Sequence, residues 1–248
     1  MIQKTTTREE REIEHFNKLA SEHGYAWWGS KTPAYKVRLE RRINTLTKLL
    51  NLQFGNKILE CGCGIGDFTL NLSSALDENI FIYALDIAES QIKIAKNNIK
   101  KPNVNFLVGS ITNLIFEDCF FDAVIGNAIL HHLDIESVLK EIKRVLKPGG
   151  KLLFFEPNML NPHIWLSLNI KPLRKLYQAS PDETAFYRWD IKNKLIPFGF
   201  KNVIVKPFDF IHPLIPRNML GIAKKIESLI EKTFLNEIAG SLIILAEK

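Results

Sequence analysis

The chain predicts an α/β fold, and three observations carry that prediction. Between residues 57 and 76 a β-rich run, Lys57-Ile58-Leu59, ends at the acid Glu60. Glycines at alternating positions, Gly62, Gly64 and Gly66, then lead into an amphipathic segment over 68–76. That is the pattern of a strand, a tight loop and a helix. From there to residue 155, short apolar runs alternate with segments of helical periodicity, the order that layers helices on a sheet. Third, 248 residues of which 46% are hydrophobic bury one substantial core, so one α/β domain with additions suffices.

Composition narrows the class further. Three cysteines, two of them in Cys61-x-Cys63 inside the glycine loop, make neither a disulfide framework nor a four-ligand metal set, and no metal is expected. A reducing, cytoplasmic setting is the simpler expectation. The polar N-terminus has no signal-peptide apolar core, and no apolar run is long enough to span a bilayer, so a soluble or at most peripheral protein is expected. Net charge is +6, and the stretch from Pro157 onward carries 13 Lys/Arg against 8 Asp/Glu. Nearly all the basic excess therefore sits in the last third.

Thr7 is placed to cap a helix over 8–22, with Glu10 as its capping-box partner and Ile13, Phe16, Leu19 and Ala20 on one face. After Gly24 come Tyr25, Trp27 and Trp28, and Pro33 then opens a second helix carrying Val37, Leu39, Ile43, Leu46, Leu49 and Leu50. The first strand follows at Lys57. In the loop beyond it, glycine lets the backbone take positive φ and lets a ligand approach the main chain. A dinucleotide fingerprint starting at Gly62 would put its third glycine on Asp67, and one starting at Gly64 would put it on Thr69. Neither register fits. An acid at a helix N-terminus also opposes an anionic ligand, so a cofactor without phosphates and with a positive centre suits this loop better.

The E-x-G-x-G-x-G spacing of Glu60, Gly62, Gly64 and Gly66 resembles motif I of the class I S-adenosylmethionine (SAM) dependent methyltransferases. The resemblance implies a Rossmann-like, seven-stranded, mostly parallel sheet with a reversed last strand, and SAM as cofactor. It also implies that Gly62, Cys63, Gly64 and Gly66 approach the methionine part of SAM while Glu60 meets its ammonium, directly or through water. A second strand over 80–85 ends at Asp86, twenty residues past Gly66, with Ile87 beside it. An acid at that tip accepts from both ribose hydroxyls of a nucleoside, a logic shared by NAD and SAM sites. A helix over 89–99, with Ile92 and Ala95 inward, leads to a third strand over 104–108 and then Gly109-Ser110-Ile111. Many family members carry an acid where Ser110 stands, accepting from the exocyclic amine of adenine. This chain departs there, leaving the Ser110 hydroxyl and the backbone of Ser110 and Ile111 to serve the ring.

The fourth strand, 121–125, runs into Gly126, Asn127, Ala128 and the pair His131-His132; FDAVIGNAILHHL resembles the family's fourth-strand pattern and places Asn127 with the cofactor residues. A helix over 135–146 has clean apolar spacing, and the LKPGG turn, another family hallmark, closes it and starts a fifth strand over 151–155. The stretch 157–189 reads as irregular, rich in aromatic residues and prolines. A helix from Asp190 to Gly199, a strand over 201–210 and a terminal strand over 241–246 complete the sheet. Between the last two strands, 211–239 holds a helix with Ile222, Ile226, Leu229, Ile230 and Phe234 on one side, expected to face the core. The stretch FNKLASEHGYAWWGSKTPAYKVRLERRI also resembles the N-terminus of quinone-biosynthesis O-methyltransferases, which implies that Arg38 meets the cofactor carboxylate. The expected organisation is a helical lid over 1–56 and a SAM-binding core over 57–248, with cap insertions at 157–189 and 211–239.

Methyl transfer from a sulfonium is an in-line displacement, so the protein must align the nucleophile, exclude water and often remove a proton. His131 and His132 are the candidate bases by position, with Tyr187, His163 and Glu156 as alternatives. Gly126-Asn127-Ala128-Ile129 is not the Asn/Asp-Pro-Pro-aromatic run of nucleobase amino methylation, and Cys119 follows Asp118 rather than a proline. Without a concentrated basic stripe, nucleic acid is disfavoured. The apolar, net basic insertions suit a small acceptor with a hydrophobic, lipid-like body and an anionic group, and leave peripheral membrane contact open. Alternatively they form a dimer interface, so monomer and homodimer both stand. The expected function is methylation of such an acceptor at a hydroxyl oxygen. The alternatives are N- or C-methylation of a small molecule or lipid-linked glycan, an NAD(P)-dependent oxidoreductase that shares Asp86 but lacks a Tyr-x-x-x-Lys pair, and a SAM-binding partner protein without turnover.

Overall fold

A computed structural model describes residues 7–23 and 32–248; the cluster of Tyr25, Trp27 and Trp28 lies outside them. Helix α1, Arg8–His23, opens with the expected capping box: Glu10 N donates to Thr7 Oγ1 at 3.2 Å, and Thr7 N donates to Glu10 Oε2 at 2.7 Å. Helix α2, Pro33–Leu50, is capped by Thr32 and stopped by Asn51 in the left-handed region. Then strand and helix alternate. Strand β1, Lys57–Cys61, is followed by α3, Asp67–Ala75; β2, Phe81–Asp86, by α4, Glu89–Asn98; and β3, Val104–Val108, leads on to β4, Phe121–Asn127. Helix α5, Ile135–Val145, joins β4 to β5, Leu146–Pro157.

The seven strands lie in the order β3-β2-β1-β4-β5-β7-β6, where β6 spans Lys201–Phe208 and β7 spans Ser241–Glu247. Strand β7 runs antiparallel to both neighbours and the rest run parallel. The carboxyl ends of β1, β2, β4, β5 and β6 therefore share one edge, where open α/β sheets carry their ligands. Alternation along each strand feeds two helical layers. Ile58, Ile82, Ala123 and Leu153 meet α2 and α3 through Leu46, Phe68 and Leu72, while Leu59, Val124, Leu152 and Ile244 meet α5 and its neighbours through Val138, Leu139 and Ile142. Thus α2 is part of the sheet's helical layer rather than a separate cover. The capping and the apolar stripe of α2 argue for this packing, at roughly 1.5–3 kcal/mol for each fully buried large aliphatic side chain.

Several boundaries differ from the sequence reading, each for a local reason. The expected turn at 146–150 is absorbed into β5, where Leu146 pairs with Phe121 and Lys151 with Ala123; the register shift is taken up at Gly149, φ 76°. The stretch 157–189 is irregular only in part, over 177–187. It holds α6, Pro162–Asn169, and α7, Lys171–Leu176, with Pro162 and Pro172 in the first turn, where a missing N–H breaks no helical bond. Helix α8, Arg188–Leu195, starts two residues early, and β6 stops at Phe208 because Asp209 takes a left-handed φ of 62°. Helix α9, Leu220–Ile230, overturns one expectation outright: Ile222, Ile226 and Leu229 face solvent, and its buried residue is Glu227. Arg41 Nη1 holds that acid at 2.6 Å, and Phe210 N donates to it at 2.7 Å, so polar contacts set the rotation of the helix.

Candidate active site

At the shared strand edge the glycine loop is folded tightly on β2: Gly62 N and Cys63 N both donate to Leu85 O, at 2.8 and 3.0 Å. Gly62, with φ 69°, has no room for a side chain, since a Cβ there would sit 2.6 Å from Ile129. Gly62, Cys63 and Gly64 form part of a cavity of about 670 Å³ that also takes in Asp86, Ile87, Ile111 and Asn127. Gly66 turns elsewhere; a Cβ on it would meet Ile99, which caps α4, at 2.7 Å and Ala95 within α4 at 3.2 Å, so its smallness serves helix packing. Burial pushes the Cys63 thiol well above its usual range, with the charge of Glu60 adding to the effect, so it stays a thiol.

The acids divide by position. Asp86 lines the cavity and accepts from Gly64 N at 2.8 Å and Ala88 N at 2.9 Å, while burial raises its carboxyl above the ordinary range. Glu60 lies beneath the loop, off the cavity lining, with Oε2 buried and without a partner among the described residues. Burial first, and then the charge of Asp86, raise its carboxyl to about 8. Ser110 also stands off the lining; its hydroxyl is hydrogen-bonded to Glu9 of α1 and Thr112, and Glu9 itself lines the cavity.

The far side is built from a polar cluster that sequence reasoning only half reached. Arg42 Nε donates to Asp209 Oδ2 at 2.7 Å, and its other nitrogens reach Asn127 Oδ1 and Ser241 Oγ. Arg38, one turn earlier, keeps 3.7 Å from Asp209 and leaves Nε buried with no partner among the described residues. Burial and the neighbouring Arg42 bring its guanidinium down to about 10, so it still carries its charge at neutral pH. No motif flags Arg42, Asp209 or Ser241, which come from α2, the end of β6 and the start of β7.

The histidines sit opposite. His131 and His132 are both buried on the cavity lining, in the turn after β4. His131 Nδ1 lies 2.7 Å from Glu156 Oε2 at the end of β5, and Glu156 Oε1 accepts from Ile129 N and Leu130 N at 3.0 and 2.9 Å. His132 Nδ1 lies 3.1 Å from Glu12 of α1 and 3.3 Å from Ser180 Oγ. Burial lowers the His132 pKa, the neighbouring His131 adding to the shift, and the ring is neutral at pH 7. Together with Glu183 the two rings offer ligand atoms within 4.8 Å, and the Glu183–His131 pair stands at 4.0 Å. Neighbouring ligands of a tetrahedral metal with bonds of ~2.0–2.1 Å lie closer, at roughly 3.4 Å, so the 4.0 Å between Glu183 and His131 is wider than such a site requires. His163 lies deeper in the cap, its Nε2 3.0 Å from Tyr177 Oη; Tyr187 stacks on Trp189, away from the cavity.

Comparison with known proteins agrees with this architecture. Residues 59–154 match a family model described as a methyltransferase domain. The demethylmenaquinone methyltransferase of Bacillus mycoides is 32% identical over 186 residues, 66% of this chain and 77% of that protein. That of Lactococcus lactis subsp. lactis is 36% identical over 61% of this chain, which here spans only 60% of the relative's length. Among solved structures, a SAM-dependent methyltransferase of Thermotoga maritima superposes with a TM-score of 0.66 at 19% identity, covering 95% of this chain and 99% of that one. Phosphoethanolamine N-methyltransferase 2 of Haemonchus contortus, solved with SAM, gives 0.59 at 18% identity over 94% and 60%. The chain belongs to the SAM-dependent methyltransferases, on a class I Rossmann-like fold. Its residues fit their cofactor: a glycine loop that lines the cavity at Gly62, Cys63 and Gly64, a carboxylate on the same lining at Asp86, and a buried, under-paired guanidinium at Arg38.

Proposed function

We propose that this chain transfers a methyl group from SAM to an apolar acceptor whose ring carries an ionisable hydroxyl, at that hydroxyl oxygen. The observation that carries the reading is the buried His131–Glu156 pair, on a cavity that runs from the glycine loop to the apolar side chains of Ile164, Leu168, Ile211 and Pro213. When bound, SAM supplies an electrophilic methyl on a sulfonium. Gly62 and Gly64 leave its methionine portion room at the main chain, Asp86 offers carboxylate oxygens to the ribose, and Arg38 offers a charged donor to the carboxylate. Glu9 supplies the acceptor for the adenine amine that Ser110 does not. Glu60 favours a cation from beneath the loop.

Glu156 takes the Nδ1 proton of His131 as its hydrogen bond, which leaves Nε2 as the nitrogen that accepts the acceptor's hydroxyl proton. Helix α1 lines the cavity through Glu9, Glu12, Phe16 and Leu19, placed to cover the reacting groups and keep water from them. The two insertions supply the wall for a hydrophobic body through Ile164, Leu168, Ile211 and Pro213. A second reading, transfer to a ring carbon, is favoured by the name of the sequence relatives, demethylmenaquinone methyltransferase. The same base serves it, since ionising a ring hydroxyl raises electron density at the neighbouring carbons.

The test is incubation of the protein with labelled SAM and short-chain hydroxynaphthalenes or naphthoquinols, followed by NMR of the product. A methoxy signal is expected; a ring-methyl signal establishes the second reading, and no methylated ring at all overturns both. His131→Ala should lower kcat by about 10²–10⁴ while leaving S-adenosylhomocysteine affinity unchanged in calorimetry.

A further inference from the structure

Helix α9 is mounted with its polarity inverted. Its inward side is acidic, with Glu227 and Glu231 both held by Arg41, while Ile222, Ile226 and Leu229 form an exposed stripe. At about 100° per residue Lys225 lies within roughly a quarter-turn of that stripe, and Lys232 follows in the turn just past the end of the helix. Neither lysine has an ion-pair partner among the described residues, whereas Glu237 in the following turn is taken up by Arg188 at 2.8 Å. The apolar surface continues. Phe234 is 85% exposed, and Ile238 O accepts from Asn161 Nδ2 at the start of α6, whose own Trp165 and Leu166 are exposed. Helix α6 has no buried residue: Ile164 and Leu168 line the cavity, and Trp165 looks out.

We infer that this cap is a docking face for an anionic lipid bilayer, and that it admits an apolar acceptor from the bilayer into the cavity beneath. The occupant is chosen by charge. An exposed apolar stripe edged by unpaired lysines matches the boundary between acyl chains and anionic headgroups. A second copy of this chain docked face to face would instead oppose the same lysines to one another. The inference rests on the apolar-acceptor reading for its purpose, but its physical basis is independent of which atom is methylated.

The experiment is flotation of the full chain with vesicles of phosphatidylcholine containing 30% phosphatidylglycerol, about the anionic content of a charged leaflet, against phosphatidylcholine alone. Wild type should float with the anionic vesicles. Ile226→Asp with Leu229→Asp should weaken partitioning more than about tenfold, and Lys225→Gln with Lys232→Gln by about fivefold per charge removed, with circular dichroism unchanged. Failure of wild type to float, or equal flotation of all three proteins, overturns the docking face. So does a stripe-dependent dimer in sedimentation velocity without flotation. Turnover of a soluble short-chain acceptor separates the two readings. Turnover without flotation removes the docking face alone, and flotation without methylation of any ring removes the acceptor assignment alone.

Discussion

Glu60 shows how much one buried side chain controls. Between its ordinary value of 4.5 and about 8, the folded chain keeps a proton on Glu60 that the unfolded chain has released. The unfolded state therefore binds fewer protons in that window, and this group makes stability fall as pH rises through it. Glu60→Gln should flatten that slope, read as Tm between pH 5 and 8. A cation brought beside Glu60 favours its ionised form, so S-adenosylhomocysteine affinity should rise with pH across the same window in wild type and lose that dependence in the variant. Glu9 makes a different test, because in the function proposed here it takes the place of an acid missing at Ser110. Glu9→Gln should weaken S-adenosylhomocysteine by about tenfold, the worth of a hydrogen bond to a charged group, and leave the 6-deamino analogue unaffected. Both acids differ in legibility. Glu60 precedes the glycine loop and is found by local spacing; Glu9 is 101 residues from Ser110, and nothing in its own neighbourhood marks it.

Elements were legible where their punctuation is local. The strand and loop at 57–66, the acid closing β2 and the capping box of α1 all lie within a few residues of the signals that specify them. Where specification is tertiary the reading failed. The prolines of 157–189 look like breakers until the helices they open are seen, and the rotation of α9 depends on Arg41, which is 186 residues away from Glu227 in the chain. The Arg42–Asp209 bond spans 167 residues and has no sequence signature at either end. The glycine loop offers an element-level prediction. Gly62→Ala places a Cβ 2.6 Å from Ile129 at a φ of 69°, and should cost about 1–3 kcal/mol in denaturant unfolding, with cofactor affinity lost as the loop shifts.

At the scale of the whole molecule, the cavity is bounded by pieces of different rigidity. The sheet edge and α2 belong to the packed core, whereas α1 touches the rest mainly through polar groups. Arg11 meets Asp182 at 2.7 Å, Arg8 donates to the carbonyls of His131 and Asp182, Ser90 donates to Asn17, and Glu12 reaches His132. Among the α1 residues with described surroundings, Leu19 is the buried apolar one. The part of this hold that is an exposed ion pair, Arg11 with Asp182, responds to ionic strength in a way that buried apolar packing does not, because mobile ions screen exposed pairs over about 8 Å at physiological salt. Stopped-flow release of S-adenosylhomocysteine should therefore speed up severalfold in 0.5 M salt, where screening is about twice as short-ranged, while the Tm set by the core moves little. Spent cofactor leaving past α1 must first break these contacts, which makes its release the electrolyte-sensitive step of the cycle, a latch set apart from the chemistry beneath it.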